Sequence, residues 1–377
     1  MGHRHDRRAE AHARPRPAGR TILLTGASGV VGRALLPSLA RSTTICLVHR
    51  TPVEGPNVIA LPGDVARRYF GLPRFAFDDL ARRIDCVVHA AAVTSFADAA
   101  DVVHRTNVDG TEHALELAAR AKVPLYHVST AFVEPPERTA SGYPAPANQA
   151  PTDYELSKQA AERMVRQSGL PNAIMRPSLV VGDSATGQIA QFQGIYMILG
   201  LVLRGLLPVL PSPAWSRVDF VPQDVVADGI AGLIERRALG EYWLTSGERA
   251  LTVGEIGALC VAHAERLVGR RIEPVRLVAP ELFERLIRPV FLPAFPSRTR
   301  RMLERALQLS RYTALERPFP SSLPEMERTL GVPPLPPPAT SLLRSLAYWA
   351  KAARRSGVAE QPDDPTTEPA PAEGVAA

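Results

Sequence analysis

The stretch Thr21-Ile22-Leu23-Leu24-Thr25-Gly26-Ala27-Ser28-Gly29-Val30-Val31-Gly32-Arg33 runs from an apolar, β-prone segment through a glycine-spaced loop into a helix start. Residues 21–25 predict a buried strand. Gly26, Gly29 and Gly32 stand where backbone must turn tightly, approach a pyrophosphate and let a helix pack on a strand. Ser28, Val30 and Val31 complete the loop, and the N-terminus of the helix that follows faces phosphate oxygens. The plainer reading is an ordinary tight turn, but here strand, loop and helix fall within one βαβ unit.

Outward from this unit, β-rich runs alternate with helical periodicity. Strands are expected at Thr21–Thr25, Thr44–Val48, Val58–Leu61, Cys86–Ala90, Leu125–Ser129 and Ala173–Arg176, and helices at Val30–Arg41, Ala99–Ala121 and Tyr154–Ser168. The class is α/β: a Rossmann-type, doubly wound parallel sheet with its ligand crevice at the carboxyl ends of the strands. Past Pro177 the regularity gives way to Pro-rich loops and helices near Ala190–Arg204, Asp224–Arg236, Val253–Val268, Glu281–Ile287 and Arg298–Leu309. This forms a smaller, mainly helical C-terminal lobe, although Val218–Phe220 and the helix after Gln223 are expected to rejoin the main sheet. The division is a basic, disordered head over 1–19, a dinucleotide-binding domain over 20–260 with lobe insertions at about 183–217, a substrate lobe over 261–356, and an acidic, disordered tail over 357–377.

The bulk properties agree. The chain has 377 residues, 45% hydrophobic and 22% charged, enough for one large domain with an appendage. Of the net charge of +6, residues 1–20 carry about +4 and the tail about −5, leaving roughly +7 on residues 21–356. A basic body suits phosphate-bearing ligands, and without an aromatic-interleaved basic stripe no nucleic-acid partner is expected. Cys46, Cys86 and Cys260 form no CxxC pair and read as reduced core thiols, which points to the cytoplasm. The apolar stretch Gly194–Leu210 is interrupted by Arg204, Gly205 and Pro208, so no transmembrane segment is expected. No metal site is expected either.

Dinucleotide sites that take NAD usually carry an acid at the end of the second strand, for the ribose 2′-hydroxyl. Here that strand ends Val48-His49-Arg50, and Arg33 follows the third glycine directly. Cations thus stand where a 2′-phosphate would lie, which favours NADP(H) over NAD(H). The alternative is that Arg33 and Arg50 are solvated surface residues. Asp64-Val65 is placed to meet the adenine edge, or Asp64 caps the next helix. Ala90-Ala91-Ala92, after the fourth strand, lets backbone pass close to the cofactor.

Tyr154 and Lys158 are four residues apart at a helix start, so they share a face. A cation at Lys158 is expected to lower the Tyr154 pKa, making the phenol a tuned acid for a carbonyl that receives hydride. By itself the pair fits an exposed helical couple equally well. Support comes from Thr130, at the end of the fifth strand and preferred over Ser129 for holding a carbonyl oxygen. Asn107, unfavourable within a helix, is expected to hold a water or backbone near Lys158.

Taken together, Gly26-x-x-Gly29-x-x-Gly32, His89-Ala90-Ala91-Ala92, Asn107-Val108-x-Gly110-Thr111, Tyr154-x-x-x-Lys158 and Arg176-Pro177-Ser178 resemble the extended short-chain dehydrogenase/reductases over residues 20–260. Cys46-Leu47-Val48, His127-Val128-Ser129-Thr130-Ala131 and the run from Arg176 to Gly187 resemble the thioester-reductase and fatty acyl-CoA reductase-like branch, of the male sterility type. The resemblance implies catalysis by Thr130, Tyr154 and Lys158 with help from Asn107, and places Pro177 and Ser178 beside the nicotinamide. It also implies reduction of an acyl thioester on coenzyme A or a carrier protein. His49 departs from this branch, which often has Arg there, and residues 265–377 match no pattern. The other readings are a hydroxysteroid dehydrogenase, a nucleotide-sugar epimerase or dehydratase, and a non-catalytic NADP-binding sensor or scaffold. Apolar faces at Ile195–Leu210 and Leu282–Phe295 suit a lipidic substrate, core packing or peripheral membrane contact. The oligomeric state is open.

Overall fold

The structure, a computed structural model, describes residues 19–94, 99–133, 151–192, 194–295, 297–309, 312 and 315–355. The head and tail singled out in the sequence lie almost wholly outside these residues. Two compact units interleave along the chain. The first comprises residues up to Val133, Pro151–Arg176 and Ala227–Tyr242; the second comprises Pro177–Val226 and the residues from Trp243 onward.

Strands β1 (Thr21–Thr25), β2 (Thr43–Val48), β3 (Val58–Pro62), β4 (Cys86–His89), β5 (Leu125–Val128) and β6 (Asn172–Pro177) form the body of the main sheet, and their successive pairings are all parallel. The spatial order β6-β5-β4-β1-β2-β3 reverses between β1 and β4, which is the doubly wound topology. Buried on both faces, β1, β4 and β5 are apolar for most of their length for that reason, with His89 and His127 as buried exceptions. Leu23, Ile45, Val87, Leu125 and Ile174 form one face of a core closed by Phe70, Phe77, Ala114, Leu117 and Val165 from flanking elements. These come largely from α2 (Arg74–Arg83), α4 (Gly110–Ala121) and α5 (Asp153–Gln167), while α1 (Val30–Ser38) opens at the glycine loop and α3 (Ala100–His104) lies upstream of α4.

Short pairs make up the other sheets. β7 (Leu179–Val181) pairs with β10 (Phe220–Pro222), β8 (Val209–Leu210) with β13 (Arg276–Leu277), and β9 (Arg217–Val218) with β12 (Leu251–Thr252), whereas β11 (Gly240–Leu244) is the last strand of the main sheet, beside β6. The expected return of Val218–Phe220 to the main sheet therefore does not occur; β11 takes that place. The helix after Gln223, α7 (Gln223–Arg236), does bring its residues from Ala227 on into the first unit. In the second unit, α6 (Gly194–Leu203) ends where Arg204 and Gly205 (φ +64°) follow. No described helix is long and apolar enough to cross a membrane.

One polar cluster is buried in the first unit. The Arg176 guanidinium, 1% exposed, donates to both oxygens of Glu162 on α5 (2.9 and 2.7 Å) and to Glu241 on β11 (2.7 Å). Arg166 bridges the same two acids at 3.0 and 2.7 Å. This fork geometry satisfies the charges it buries and ties the helix to the edge of the sheet.

Candidate active site

The glycine loop is shaped by exclusion. Gly26 adopts φ +72°, and a β-carbon there would lie 2.5 Å from the Ala91 nitrogen and 2.6 Å from the Ala90 carbonyl. One at Gly32 would lie 2.2 Å from the Gly26 oxygen. Gly29, the N-cap of α1, has no side-chain cap, so the first N–H groups of the helix are free of side-chain acceptors. A bare helix end behind a loop that admits no β-carbon fits a pyrophosphate. The Thr25 hydroxyl fastens the neighbouring strand end: it hydrogen-bonds His89 Nδ1 (2.8 Å) and accepts from the Ala91 N–H (3.3 Å). Ala90, Ala91 and Ala92 are half-buried beside it. Thr25, which the sequence reading passed over, was visible only as a polar residue closing an apolar strand.

At the far side of the loop, exposed Arg33 donates through Nε to the Ser28 carbonyl (3.0 Å) and so keeps its terminal nitrogens at the loop mouth. Arg50 is exposed, and His49 Nε2 lies 3.8 Å from Asp64. Asp64 Oδ1 also accepts from the Ala66 N–H (3.0 Å), so the carboxylate organises its own turn. Val65 packs against Gly110, and its carbonyl meets His113 Nδ1 at 2.8 Å.

The catalytic candidates meet on α5. A capping box starts this helix: Thr152 Oγ1 accepts from the Glu155 N–H (3.1 Å), and Glu155 accepts from the Thr152 N–H (2.8 Å). Tyr154 thereby falls in the first turn with Lys158 one turn on. The Tyr154 and Thr130 hydroxyls are hydrogen-bonded to one another. The Ser129 hydroxyl is buried without a hydrogen-bond partner among the described residues, so of the two it is Thr130 that touches Tyr154. Lys158, 3% exposed, donates to the Val128 carbonyl at 2.7 Å.

Asn107 sits in a π-helical turn (Arg105–Asp109) between α3 and α4, where the continuous helix expected over Ala99–Ala121 gives way. Such turns turn a side chain out of helical register. Its Oδ1 accepts from the Val93 N–H (2.8 Å), and its Nδ2 donates to the Val93 carbonyl (3.0 Å) and to Ser157 Oγ (2.9 Å). Asn107 thus holds backbone, and it reaches the residue next to Lys158 through Ser157.

Charge balance in the site departs from expectation. Burial pushes the Tyr154 phenol up to about 12, against the Thr130 hydrogen bond, instead of Lys158 drawing it down. Lys158 itself is lowered to about 8 by the same desolvation, partly offset by Glu162. A cation that has lost its hydration holds its own proton weakly. Behind it, His89 and His127 stack at 5.6 Å, and burial lowers His89 to about 3 and His127 well below its ordinary value, so both rings are neutral.

Pro177 and Ser178 belong to the second unit. The Ser178 N–H donates to the Leu244 carbonyl (3.2 Å), and its hydroxyl lies against Asp219, a carboxyl raised to about 6 by burial even though it accepts from the N–H groups of Ser246 (2.9 Å) and Gly247 (2.8 Å). Asp219 was not singled out from the sequence, where it is one acid among apolar residues. Among the described residues no group of His, Cys or acidic side chains could hold a metal ion.

Residues 53–230 match the family model described as male sterility protein. The chain is 32% identical over 247 residues to an isonitrile lipopeptide synthase of Streptomyces coeruleorubidus, covering 56% of this chain and 17% of that protein. It is 30% identical over 260 residues to a glycine betaine reductase of Emericella nidulans, covering 58% and 20%. Among solved structures, the terminal R domain of the myxalamid PKS-NRPS pathway superposes with a TM-score of 0.70 at 26% identity, over 92% of this chain and 93% of that one. Over these spans the chain is similar to proteins of the male sterility type and to an R domain of the same doubly wound fold. The curated relatives are much longer: the matched stretch is a fifth of their length or less.

Proposed function

We propose that this chain is an NAD(P)-dependent extended short-chain dehydrogenase/reductase that uses NADPH to reduce an acyl thioester, carried on coenzyme A or a carrier protein, to an aldehyde and a free thiol. The observation that carries the reading is the hydrogen-bonded pair of Thr130 and Tyr154 one helical turn from a buried Lys158. When bound, NADPH supplies the hydride for the acyl carbon. Thr130 and Tyr154 hold the acyl oxygen, and Tyr154, protonated throughout the neutral range, gives it the proton as negative charge develops there. The C–S bond then breaks, the hydroxyl proton returns to the Tyr154 oxygen, and the departing thiolate takes a proton from solvent to leave as the thiol. Lys158 positions the ribose of the cofactor and keeps a positive charge behind the phenol. Asn107, through Ser157 and Val93, fixes the turn of α5 from which these groups project. Gly26, Gly29 and Gly32 with Ser28, Val30 and Val31 cradle the pyrophosphate, Arg33 and Arg50 with His49 receive a 2′-phosphate, Asp64 and Val65 border the adenine, and Ala90–Ala92 line the cofactor's path. Pro177 and Ser178 are assigned to the nicotinamide side. The names of the relatives, a lipopeptide synthase and a glycine betaine reductase, support an acyl substrate that is carrier-bound or a small molecule.

The test is turnover of NADPH and of NADH with acyl-CoA, in wild type and Tyr154→Phe. The proposal expects NADPH oxidation that Tyr154→Phe lowers at least about a hundredfold with cofactor binding intact. Equal rates in the two proteins would refute the role of Tyr154.

A further inference from the structure

A cavity of about 500 Å³ opens in the first unit at the amino ends of β1, β4 and β5, the end of the sheet opposite the glycine loop. Arg20 precedes β1, Cys86 begins β4, and Pro124 and Tyr126 mark the start of β5. Five cations line it against two acids, Asp78 and Asp85. Asp78 pairs with Arg120 (3.0 Å), whereas Asp85, among the described residues, accepts only from the Thr21 N–H (2.8 Å) and keeps its charge, which leaves the cations in excess. Arg82 leans outward to Asp79 (3.3 Å). Arg20 donates to the carbonyls of Ile234 and Glu235, which neutralises none of its charge. Lys122 and Arg237 make no ion pair among the described residues.

Helix ends carry cations to complement their carbonyls, so the bland reading is that Lys122 and Arg237 serve α4 and α7. Two carbonyls at each of these ends are already met by backbone, and Arg20 reaches two at the end of α7. The N–H groups of Lys122 and Val123 donate to Ala119 and Ala118, and those of Arg237 and Ala238 to Ile234 and Leu233. Both residues also adopt the left-handed conformation, at φ 56° and 53°, where a β-carbon is disfavoured and glycine is the usual choice. Gly269 and Gly331 fill the same place at two other helix ends of this chain, at φ 74° and 70°. Long basic side chains replace glycine at the two ends that open on this cavity. Tyr126 also lines the cavity, 1% exposed, with its hydroxyl 3.5 Å from the Leu233 carbonyl, too far for a good hydrogen bond. The charges of Arg20 and Arg237 both act on that phenol.

We propose that this cavity is a second anion site, separate from the dinucleotide site, that takes a phosphate-bearing small molecule, with Arg20, Lys122 and Arg237 as counter-charges and the Tyr126 hydroxyl as a donor. The volume suits a ligand of nucleotide size or smaller.

The test is calorimetric titration of the full chain, saturated with NADPH to occupy the dinucleotide site, with pyrophosphate, inorganic phosphate and citrate. Pyrophosphate is expected to bind in the millimolar range or tighter, and citrate at least about tenfold more weakly. The double variant Lys122→Gly, Arg237→Gly is expected to weaken pyrophosphate binding at least about tenfold. Glycine suits both backbone conformations, so its melting temperature without ligand should match or exceed that of wild type, and its affinity for NADPH should not change. No heat with pyrophosphate, citrate binding as tightly as pyrophosphate, or unaltered pyrophosphate affinity in the glycine variant would overturn the proposal. If the glycine variant melts lower, Lys122→Gln with Arg237→Gln is titrated in its place, and retained affinity there overturns it equally.

Discussion

Replacing Lys158 by methionine should make the protein more stable at pH 7 while abolishing its activity. Lys158 is 3% exposed, and burial lowers its pKa from 10.5 to about 8, a difference worth about 3 kcal/mol against the charged form. Methionine removes that charge at similar length but deprives the Val128 carbonyl of its 2.7 Å donor, which costs about 1 kcal/mol. The net gain at pH 7 is about 2 kcal/mol. Because the folded-state pKa is depressed, the penalty in the wild type is fully present below pH 8 and relieved as pH rises toward 10.5, where the unfolded chain also loses the proton. The advantage of Lys158→Met should therefore shrink between pH 8 and 10.5 and vanish or reverse above it. Urea unfolding followed by far-ultraviolet circular dichroism at pH 7 and pH 11 measures both values. A variant less stable than wild type at pH 7, or a difference that does not change with pH, would refute the reasoning that desolvation dominates this site. The same titration bears on turnover: kcat/KM for reduction should fall as pH rises through about 8, where Lys158 discharges, while Tyr154 stays protonated.

Three further outcomes follow from single contacts. Gly32→Ala places a β-carbon 2.2 Å from the Gly26 oxygen, and equilibrium fluorescence titration should show NADPH affinity reduced at least about tenfold. Glu162→Gln leaves the buried Arg176 with half of its fork unanswered, and denaturant unfolding should register a loss of about 3–5 kcal/mol. Arg33→Ser with Arg50→Ser should lower the ratio of NADPH to NADH efficiency at least about tenfold, measured as kcat/KM for each cofactor.

Much of the fold was legible because β1, β4 and β5 are buried on both faces, and a strand with no solvent side is mostly apolar, as these are apart from His89, His127 and the terminal threonines of β1. β11 was not, because Gly240-Glu241-Tyr242-Trp243-Leu244 is exposed at its start and carries a glutamate that is explained only by Arg166 and Arg176, far away in sequence. The π-helical turn at Asn107 escaped the same reading, since one added residue in a turn leaves the apolar periodicity on either side intact. In the candidate site the residue types and spacing pointed to Thr130, Tyr154 and Lys158, but the direction of the Tyr154 shift did not follow from them. It depends on how much water the fold removes, and that is a property of packing around the pair.

The central claim, hydride transfer to the acyl carbon of a thioester, is tested most directly with NADPH deuterated at C4 and an acyl-CoA, with mass spectrometry of the trapped product. The account predicts an aldehyde with one deuterium on the carbonyl carbon, in stoichiometric balance with free thiol and oxidised cofactor. Intact thioester with every acyl chain offered, alongside deuterium transfer to a ketone or a sugar, would contradict it.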